Sequence, residues 1–490
     1  MIIRLLAPLW YLLHRSGLCS TVFMLRGFER VRWHVGRIGA RVRYQSALLH
    51  VPAYRDFVSV HATPRVGSGN DIPVTDKISY VNAYPMDARC EGGRLPRRGV
   101  MIDESSGSSG RPTNWVRGAH ERAANARTIR MGLQRRLQGD QPLFFINAFA
   151  LGPWATGINL TLALSSWGRL KTLGPDIVKI ANTLNDFGPS QHFVVMGYPP
   201  FLKQLLDRAD VDWSRFTVSF IYGGEGMSES MRRYFEQRGI ERVYGSYGAS
   251  DLELNLAAET DFTIALRRLM ESRPDIAARL MQHVGALPMI FQYNPADFFL
   301  ETTVGGELLV TVCRPGYVAP KIRYNIHDLG HVIRFPALRT RLAEFGVDIT
   351  TLDARALDLP VLLHYGRSDL SVSWYGCKIP PADVQETLFR MPAFATGVDA
   401  FRLHTFDDAV GDKRLVIALE QVQELPPPPT GNWTTQFFDT LAAVNQDFRE
   451  SRRMAPANKP PRLELHPQGT GPFDGADIRI KRQYVLQGAG

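Results

Sequence analysis

Cysteine is scarce in this 490-residue chain: Cys19, Cys90, Cys313 and Cys377 lie far apart, with no CxxC pair and no histidine spacing to match. That distribution argues against a zinc site and a disulfide framework, and it points to a reducing compartment, read here as the cytoplasm. Long apolar runs are missing as well. The run near the start, Leu5 to Leu13, is nine residues, interrupted by Pro8 and bounded by Arg4 and His14. It is well short of the ~20 residues that span hydrocarbon, and no small-residue cleavage site follows it cleanly. The expectation is an N-terminal helix packed on the body and no transmembrane segment, with weak peripheral membrane contact through the N-terminus as the other reading. Internal repeats are absent, and Pro426 to Pro429 is the one low-complexity tract.

What is present is ordinary globular composition, 44% hydrophobic and 21% charged, in a chain long enough for two or three domains. The net charge of +9 is unevenly placed: residues 1 to 140 hold 22 Lys and Arg against 10 Asp and Glu. A basic N-terminal third attracts polyanions or is simply a solvated arginine-rich surface.

Residues up to about 60 read as a helical lead-in. From about 143, short apolar runs alternate with helices: PLFFINAFA, HFVVMG, FTVSFIYGG and IERVYG. Between the last two, Ser228 caps a helix whose apolar face is Met231, Tyr234 and Phe235, and Gly239 stops it. Strand, helix, strand in that order implies parallel crossovers and an α/β architecture. GGELLVTVC adds a strand of a β-rich, antiparallel subdomain. Beyond Gly366 a small α+β unit follows, with strands KRLVIALEQ and PRLELHP and a helix entered at Pro381. The expected division is residues 1–365 and 366–490.

Several blocks carry chemistry. SSGSSGRPT, Ser105 to Thr113, is a hydroxyl-and-glycine loop. Gly107 and Gly110 allow close backbone approach, while Ser105, Ser106, Ser108 and Ser109 offer hydroxyls to phosphate oxygens. It lacks the GxxxxGK[ST] spacing of a Walker loop. YGGEG (222–226), YGSYGASD (244–251), RYNIHDLG (323–330) and GRSD (366–369) follow in order, and a lysine, Lys481, lies near the end.

Set in that order, the blocks resemble the adenylate-forming superfamily of acyl-CoA synthetases and their relatives, most closely its phenylacetate-CoA ligase branch. The likeness extends from ALLHVPAYRDF (47–57) to the tail. It implies a large domain of layered α/β sheets with a β-rich subdomain and a mobile C-terminal lid. It also implies ATP, Mg2+ and a carboxylic acid as reactants, with CoA, a carrier-protein pantetheine or an amine as acceptor. By resemblance, Ser105 to Gly110 hold the β- and γ-phosphates, and Gly224 and Glu225 form the adenine-edge strand. Tyr247, next to Gly248, stacks on adenine, and Ser250 touches the α-phosphate. Asp328 accepts the ribose hydroxyls beside Arg367. Phe149, Trp154 and Tyr222 line an acyl pocket suited to an aromatic acid. Lys481 meets the α-phosphate, Asp369 is the lid's pivot, and Gly376 borders the acceptor tunnel.

The chain departs from the pattern in two places. Asp251 stands where the superfamily usually has a glutamate metal ligand, one methylene longer, so metal contact passes through water or involves Glu253. Trp374 and Tyr375, before Gly376, are bulkier than is common in relatives, which leaves the acceptor open. A homodimer is also open. The reading from another class is a non-catalytic nucleotide- or nucleic-acid-binding protein that kept the fold. The basic N-terminal third favours it; Asp328, Arg367 and Lys481 count against it, and no specific nucleic acid is implied.

Overall fold

The computed structural model describes Leu12 and residues 25–62, 72–105, 113–137, 139–283, 285–367, 370–375, 377–407, 413–455, 460–475 and 484–486. Ser106 to Gly110, Asp369, Gly376, Lys481 and most of the Leu5 to Leu13 run lie outside the described residues.

The lead-in is two helices, Glu29–His50 and Pro52–His61. They are separate because Pro52 cannot continue the first but suits the start of the second. Strand β1 (Thr75–Asp76) joins the main sheet, and β2 (Val100–Glu104) and β3 (Asn114–Gly118) form an antiparallel hairpin. At its tip the Ser105 amide donates to the Thr113 carbonyl (3.0 Å) and the Thr113 amide to Ser105 Oγ (3.1 Å). The serine–glycine loop therefore leaves and re-enters the fold at one closed pair.

The expected parallel strands are β4 (Leu143–Asn147), β6 (His192–Gly197), β7 (Thr217–Gly223) and β8 (Ile240–Tyr247), and a further one, β5 (Arg169–Thr172), pairs with β4 at the edge. Every residue of β6 is buried, as befits a central strand covered on both faces. The helix between β7 and β8, Glu229–Glu236, is capped by Ser228, whose hydroxyl accepts from the Met231 amide (3.1 Å). Beyond β8 the sheet turns antiparallel through β9 (Ala257–Ala258), β10 (Met289–Gln292), β11 (Phe298–Thr302), β12 (Glu307–Val312), β13 (Tyr324–Ile333) and β14 (Val361–Arg367). The order across the described sheet is β11-β12-β13-β14-β10-β9-β8-β7-β6-β4-β5.

A separate apolar core forms in the C-terminal part around Trp374, Leu388, Phe394, Leu403, Ile417, Phe437 and Phe448. Over it lie the hairpin β15 (Val372–Trp374) and β16 (Cys377–Ile379), and a sheet of β17 (Val398–Asp407), β18 (Lys413–Gln421), β19 (Arg462–Pro467) and β20 (Val485–Leu486), in the order β19-β18-β17-β20. Gly366 and Arg367 belong to the large sheet through β14, because Arg367 pairs in register with Asp328 on β13. The two parts meet where Asp383 Oδ1 accepts from the Ala286 amide (2.8 Å), where Ser230 donates to Glu386 (3.0 Å), and where Gln204 donates to Asp399 (3.0 Å). No described helix is long and apolar enough to cross a membrane.

Candidate active site

A cavity of about 1210 Å3 opens between the two parts, at the C-terminal ends of β7 and β8 and along β13 and β14. In open α/β sheets ligands bind in crevices outside the carboxyl ends of the strands. Its walls bring together Ser105, Phe149, Trp154, Tyr222, Gly224, Glu225, Tyr247, Gly248, Ser250, Asp251, Asp328 and Arg367. These are all the anticipated site residues that the structure describes except Glu253.

The site is fixed from behind by paired charges. Arg117 on β3 is held by Asp103 on β2 (2.8 Å) and donates to the carbonyls of Ser250 (2.6 Å) and Leu252 (3.3 Å). The hairpin that carries the serine–glycine loop is thereby tied to the loop that carries Ser250 and Asp251. Asp328 is buried, and Tyr247 donates to its Oδ2 (2.6 Å) while His364 Nε2 lies 3.1 Å away. Burial pushes the Asp328 carboxyl up, but His364, Tyr247 and the Arg367 charge outweigh that and hold it below the ordinary aspartate range. His327, just before it, has φ +64°, a left-handed backbone that a non-glycine residue adopts at a cost. Tyr247 was expected to stack on adenine. Its ring already stacks on Phe291 (5.6 Å between centroids) and tilts against His364 (4.6 Å), so it also serves as a prop for Asp328.

Gly224 is required twice over. Its φ is +80°, and a Cβ there would lie 2.5 Å from the Tyr198 ring. Tyr198 in turn meets Phe149 edge to face at 5.1 Å. Tyr222 is anchored through its hydroxyl to Glu259 (2.9 Å), which also takes Arg232 (2.7 Å) and the Gly245 amide (2.6 Å). This buried network clamps the ends of β7 and β8 together.

Asp251 accepts from Tyr324 (3.0 Å) and faces the cavity. Nearby Lys321 is buried against Trp115 at 4.2 Å, and that burial pulls its ammonium down to about 7, with Asp251 offsetting part of the effect. Glu253 points elsewhere: its carboxylate receives the Tyr317 hydroxyl and lies 3.9 Å from Arg314. Of the two carboxylates, Asp251 lines the cavity and Glu253 does not. Trp374, whose bulk suggested crowding, does not line the cavity. It is fully buried against Phe448 (5.5 Å) inside the small core. Tyr198, His364 and Tyr484 were not anticipated. Tyr484 donates to Glu225 and so ties the C-terminal segment to the cavity wall. Among the described residues there is no cluster of three metal-ligating side chains.

No protein-family model and no curated protein sequence matches the chain. Solved structures do. A 2-hydroxyisobutyryl-CoA ligase in its post-adenylation state, in complex with R3-HIB-AMP, superposes with a TM-score of 0.63 at 15% identity, over 95% of this chain and 91% of that one. The same ligase in its thioesterification state, with 2-HIB-AMP and CoA, gives 0.51 at 16% identity, over 94% and 90%. An anthranilate CoA ligase with anthranoyl-AMP gives 0.50 at 13% identity, over 82% and 69%. The architecture is therefore that of adenylate-forming acyl-CoA ligases: a large mixed α/β body with a smaller C-terminal part.

Proposed function

We propose that this chain activates a carboxylic acid with ATP, forming an acyl-adenylate and pyrophosphate, and then transfers the acyl group to CoA or another thiol or amine. The observation that carries this reading is the convergence of Ser105, Tyr247, Ser250, Asp251, Asp328 and Arg367 on one cavity that continues between Phe149, Trp154 and Tyr222. The order of motifs supports the phenylacetate-CoA ligase branch, and the aromatic walls support an aromatic acid.

In the first step an oxygen of the carboxylate bonds to the α-phosphorus, and the bond to the bridging oxygen breaks, its electron pair leaving with pyrophosphate. In the second, the acceptor attacks the acyl carbonyl and AMP departs. The protein's task is to place groups and spread charge. Asp328 receives the ribose hydroxyls, with Arg367 opposite. Ser250 contacts the α-phosphate, and Gly224 and Glu225 line the adenine edge, with Tyr247 presenting its remaining surface there. Ser105 to Gly110 take the outer phosphates.

Asp251 offers one hard oxygen contact. That suits Mg2+, which is commonly held by one or two carboxylates plus substrate phosphates and not by an all-protein cage. When bound, the ion supplies charge neutralisation at the phosphates. Lys481 is assigned the α-phosphate in the transition state. Tyr484, three residues later, reaches Glu225 at the cavity wall, and three residues of chain span at most about 11 Å.

Residues 366–490 are assigned the role of lid, with Asp369 as its pivot and Gly376 beside the acceptor path. The better fit to the post-adenylation state than to the thioesterification state of one ligase supports taking the present arrangement as the adenylation-side conformer. Buried thiols at Cys90, Cys313 and Cys377 suit a reducing, cytoplasmic setting.

Acid-dependent exchange of labelled pyrophosphate into ATP, over a broad panel of acids with hydroxylamine trapping of the adenylate, tests the proposal. Exchange with at least one acid is expected. ATP binding with no exchange from any acid would leave a nucleotide-binding protein in its place.

A further inference from the structure

The wall of the cavity beyond Phe149 is apolar: Leu133, Phe149, Met196 and Tyr244 belong to one cluster. One charged side chain lines it, Arg136, at the end of the helix Ala119–Arg136. Its guanidinium lies over the Tyr244 ring at 5.7 Å. Among the described residues it has no ion pair and no hydrogen bond, and its Nε is buried without a partner. Arg117, Arg232, Arg267 and Arg314, buried elsewhere, each face a carboxylate. The carboxylates around Arg136 are engaged: Glu259 by Arg232 and Tyr222, Asp261 by the Tyr244 hydroxyl. Burial pulls the Arg136 guanidinium below its ordinary range. Glu259 and Asp261 offset part of that at a distance, and an anion in the cavity would give the half-buried guanidinium the direct partner it lacks among the described residues.

The helix is built to seat it. Helical side chains lean toward the N-terminus, so Arg136 folds back over position 132. There a Cβ would lie 2.6 Å from its Nη1. Gly132 costs the helix about as much as any mid-helix glycine, and the missing side chain is what leaves the guanidinium its place. Tyr244 precedes Tyr247 by three residues on β8, so the two rings leave opposite faces of the strand about 10 Å apart along it. Arg136 therefore stands at the far end of the acyl wall, away from Ser250 and Asp328.

We infer that the acid taken by this cavity carries a second anionic group, a carboxylate in the simplest case, which Arg136 receives while the first carboxylate faces the nucleotide. The inference rests on the acyl-adenylate reading for the location of the first carboxylate. The apolar walls between the two ends suit a hydrophobic spacer. A dianionic acid thus gains a charge-assisted pair that its monoester cannot make.

The test compares dicarboxylates of graded length, terephthalate, 4-carboxyphenylacetate and adipate among them, each against its monomethyl ester. Binding is measured by calorimetry with a non-hydrolysable ATP analogue, and turnover by pyrophosphate exchange. In the parent protein at least one dicarboxylate is expected to exceed its ester on the order of 100-fold, as a site built around a polar group discriminates against analogues that lack it. Arg136→Met should bring that pair within about threefold, and Arg136→Lys, which keeps charge without the planar fork, should fall between. Gly132→Ala should weaken the same preference by displacing the guanidinium. Selective binding of a dicarboxylate that Arg136→Met abolishes, with no exchange from any acid, would uphold the anion site and overturn the adenylation reading. Exchange in which esters match or exceed every dicarboxylate, or in which Arg136→Met lowers both members of each pair alike, would overturn the inference and leave the adenylation reading intact.

Discussion

Asp328→Asn is the sharpest single perturbation of the nucleotide end. The amide keeps the shape and still offers an oxygen to the Tyr247 hydroxyl, which lies 2.6 Å from Asp328 Oδ2. It loses the charge that, in the proposed role, strengthens bonds to ribose hydroxyls. A hydrogen bond to a charged group is worth roughly 1.5–3 kcal/mol, and 1.4 kcal/mol is tenfold in affinity, so ATP should bind about 10- to 140-fold more weakly. Folding should suffer less than in Asp328→Ala, because the amide oxygen can still accept from Tyr247. Asp328→Ala does strand the Tyr247 hydroxyl and should add about 1–3 kcal/mol of destabilisation. Since the carboxyl is held below the ordinary aspartate range, its contribution is present above the unfolded aspartate pKa and is lost as pH falls through the lower folded one. ATP affinity of the parent should therefore stay level, as far as Asp328 governs it, from pH 8 down to about 5. Calorimetric titration with ATP and thermal melts of both variants supply the numbers. An Asn variant that binds ATP as the parent does, but binds the acid less well, refutes the ribose assignment.

Lys481→Ala should abolish adenylation yet leave transfer from a preformed acyl-adenylate, and equal loss of both half-reactions would contradict its role. Asp251→Asn should raise the Mg2+ concentration needed for half-maximal exchange, roughly tenfold or more for one lost charged contact. Glu253→Gln should shift that concentration far less, since its carboxylate serves Tyr317; a larger effect from Glu253 would reverse the two assignments. Asp383, at the junction of the two parts, has its carboxyl pushed up to about 7 by burial, against the opposing Ala286 amide and Asn445. The folded protein therefore keeps a proton there that the unfolded chain releases near pH 4, and stability should fall as pH rises from about 4 to 7, by at most about 1.4 kcal/mol per unit. Thermal melts over that window should show a flatter profile for Asp383→Asn, and an unchanged slope would remove Asp383 as the cause.

Four of the five parallel strands, β4, β6, β7 and β8, were legible because they read as largely apolar runs, whereas β5, the partly exposed edge strand RLKT, carries no such signal. Ser228 and Gly239 are local signals, needing no knowledge of the rest of the chain. The two-residue strands β1, β9 and β20 carry no period and could not be read. Thr75 pairs with Tyr324 and Ala258 with Gln292, partnerships set by the assembled sheet alone. Trp374 misled for a related reason. Its bulk beside Gly376 suggested an obstruction, but alternation along β15 turns it inward, onto Phe448.

The same division explains the site. Residues in runs of serine, glycine and acid, such as Ser105 and Tyr247 to Asp251, can be read because phosphate and ribose chemistry demands those types in sequence. His364 and Tyr198 stand singly in largely apolar stretches, and Arg136 is one arginine among several in a polar helix, so nothing beside them in the chain marks their use. His364 matters because β14 runs next to β13 and places it 3.1 Å from Asp328. Arg136 matters because Gly132 lets it fold back and because the carboxylates near it are already taken. His364 thus belongs with Asp328, whereas Arg136 stands at the apolar end of the cavity, and on the proposed reading specificity for the acid should be sought there by mutation.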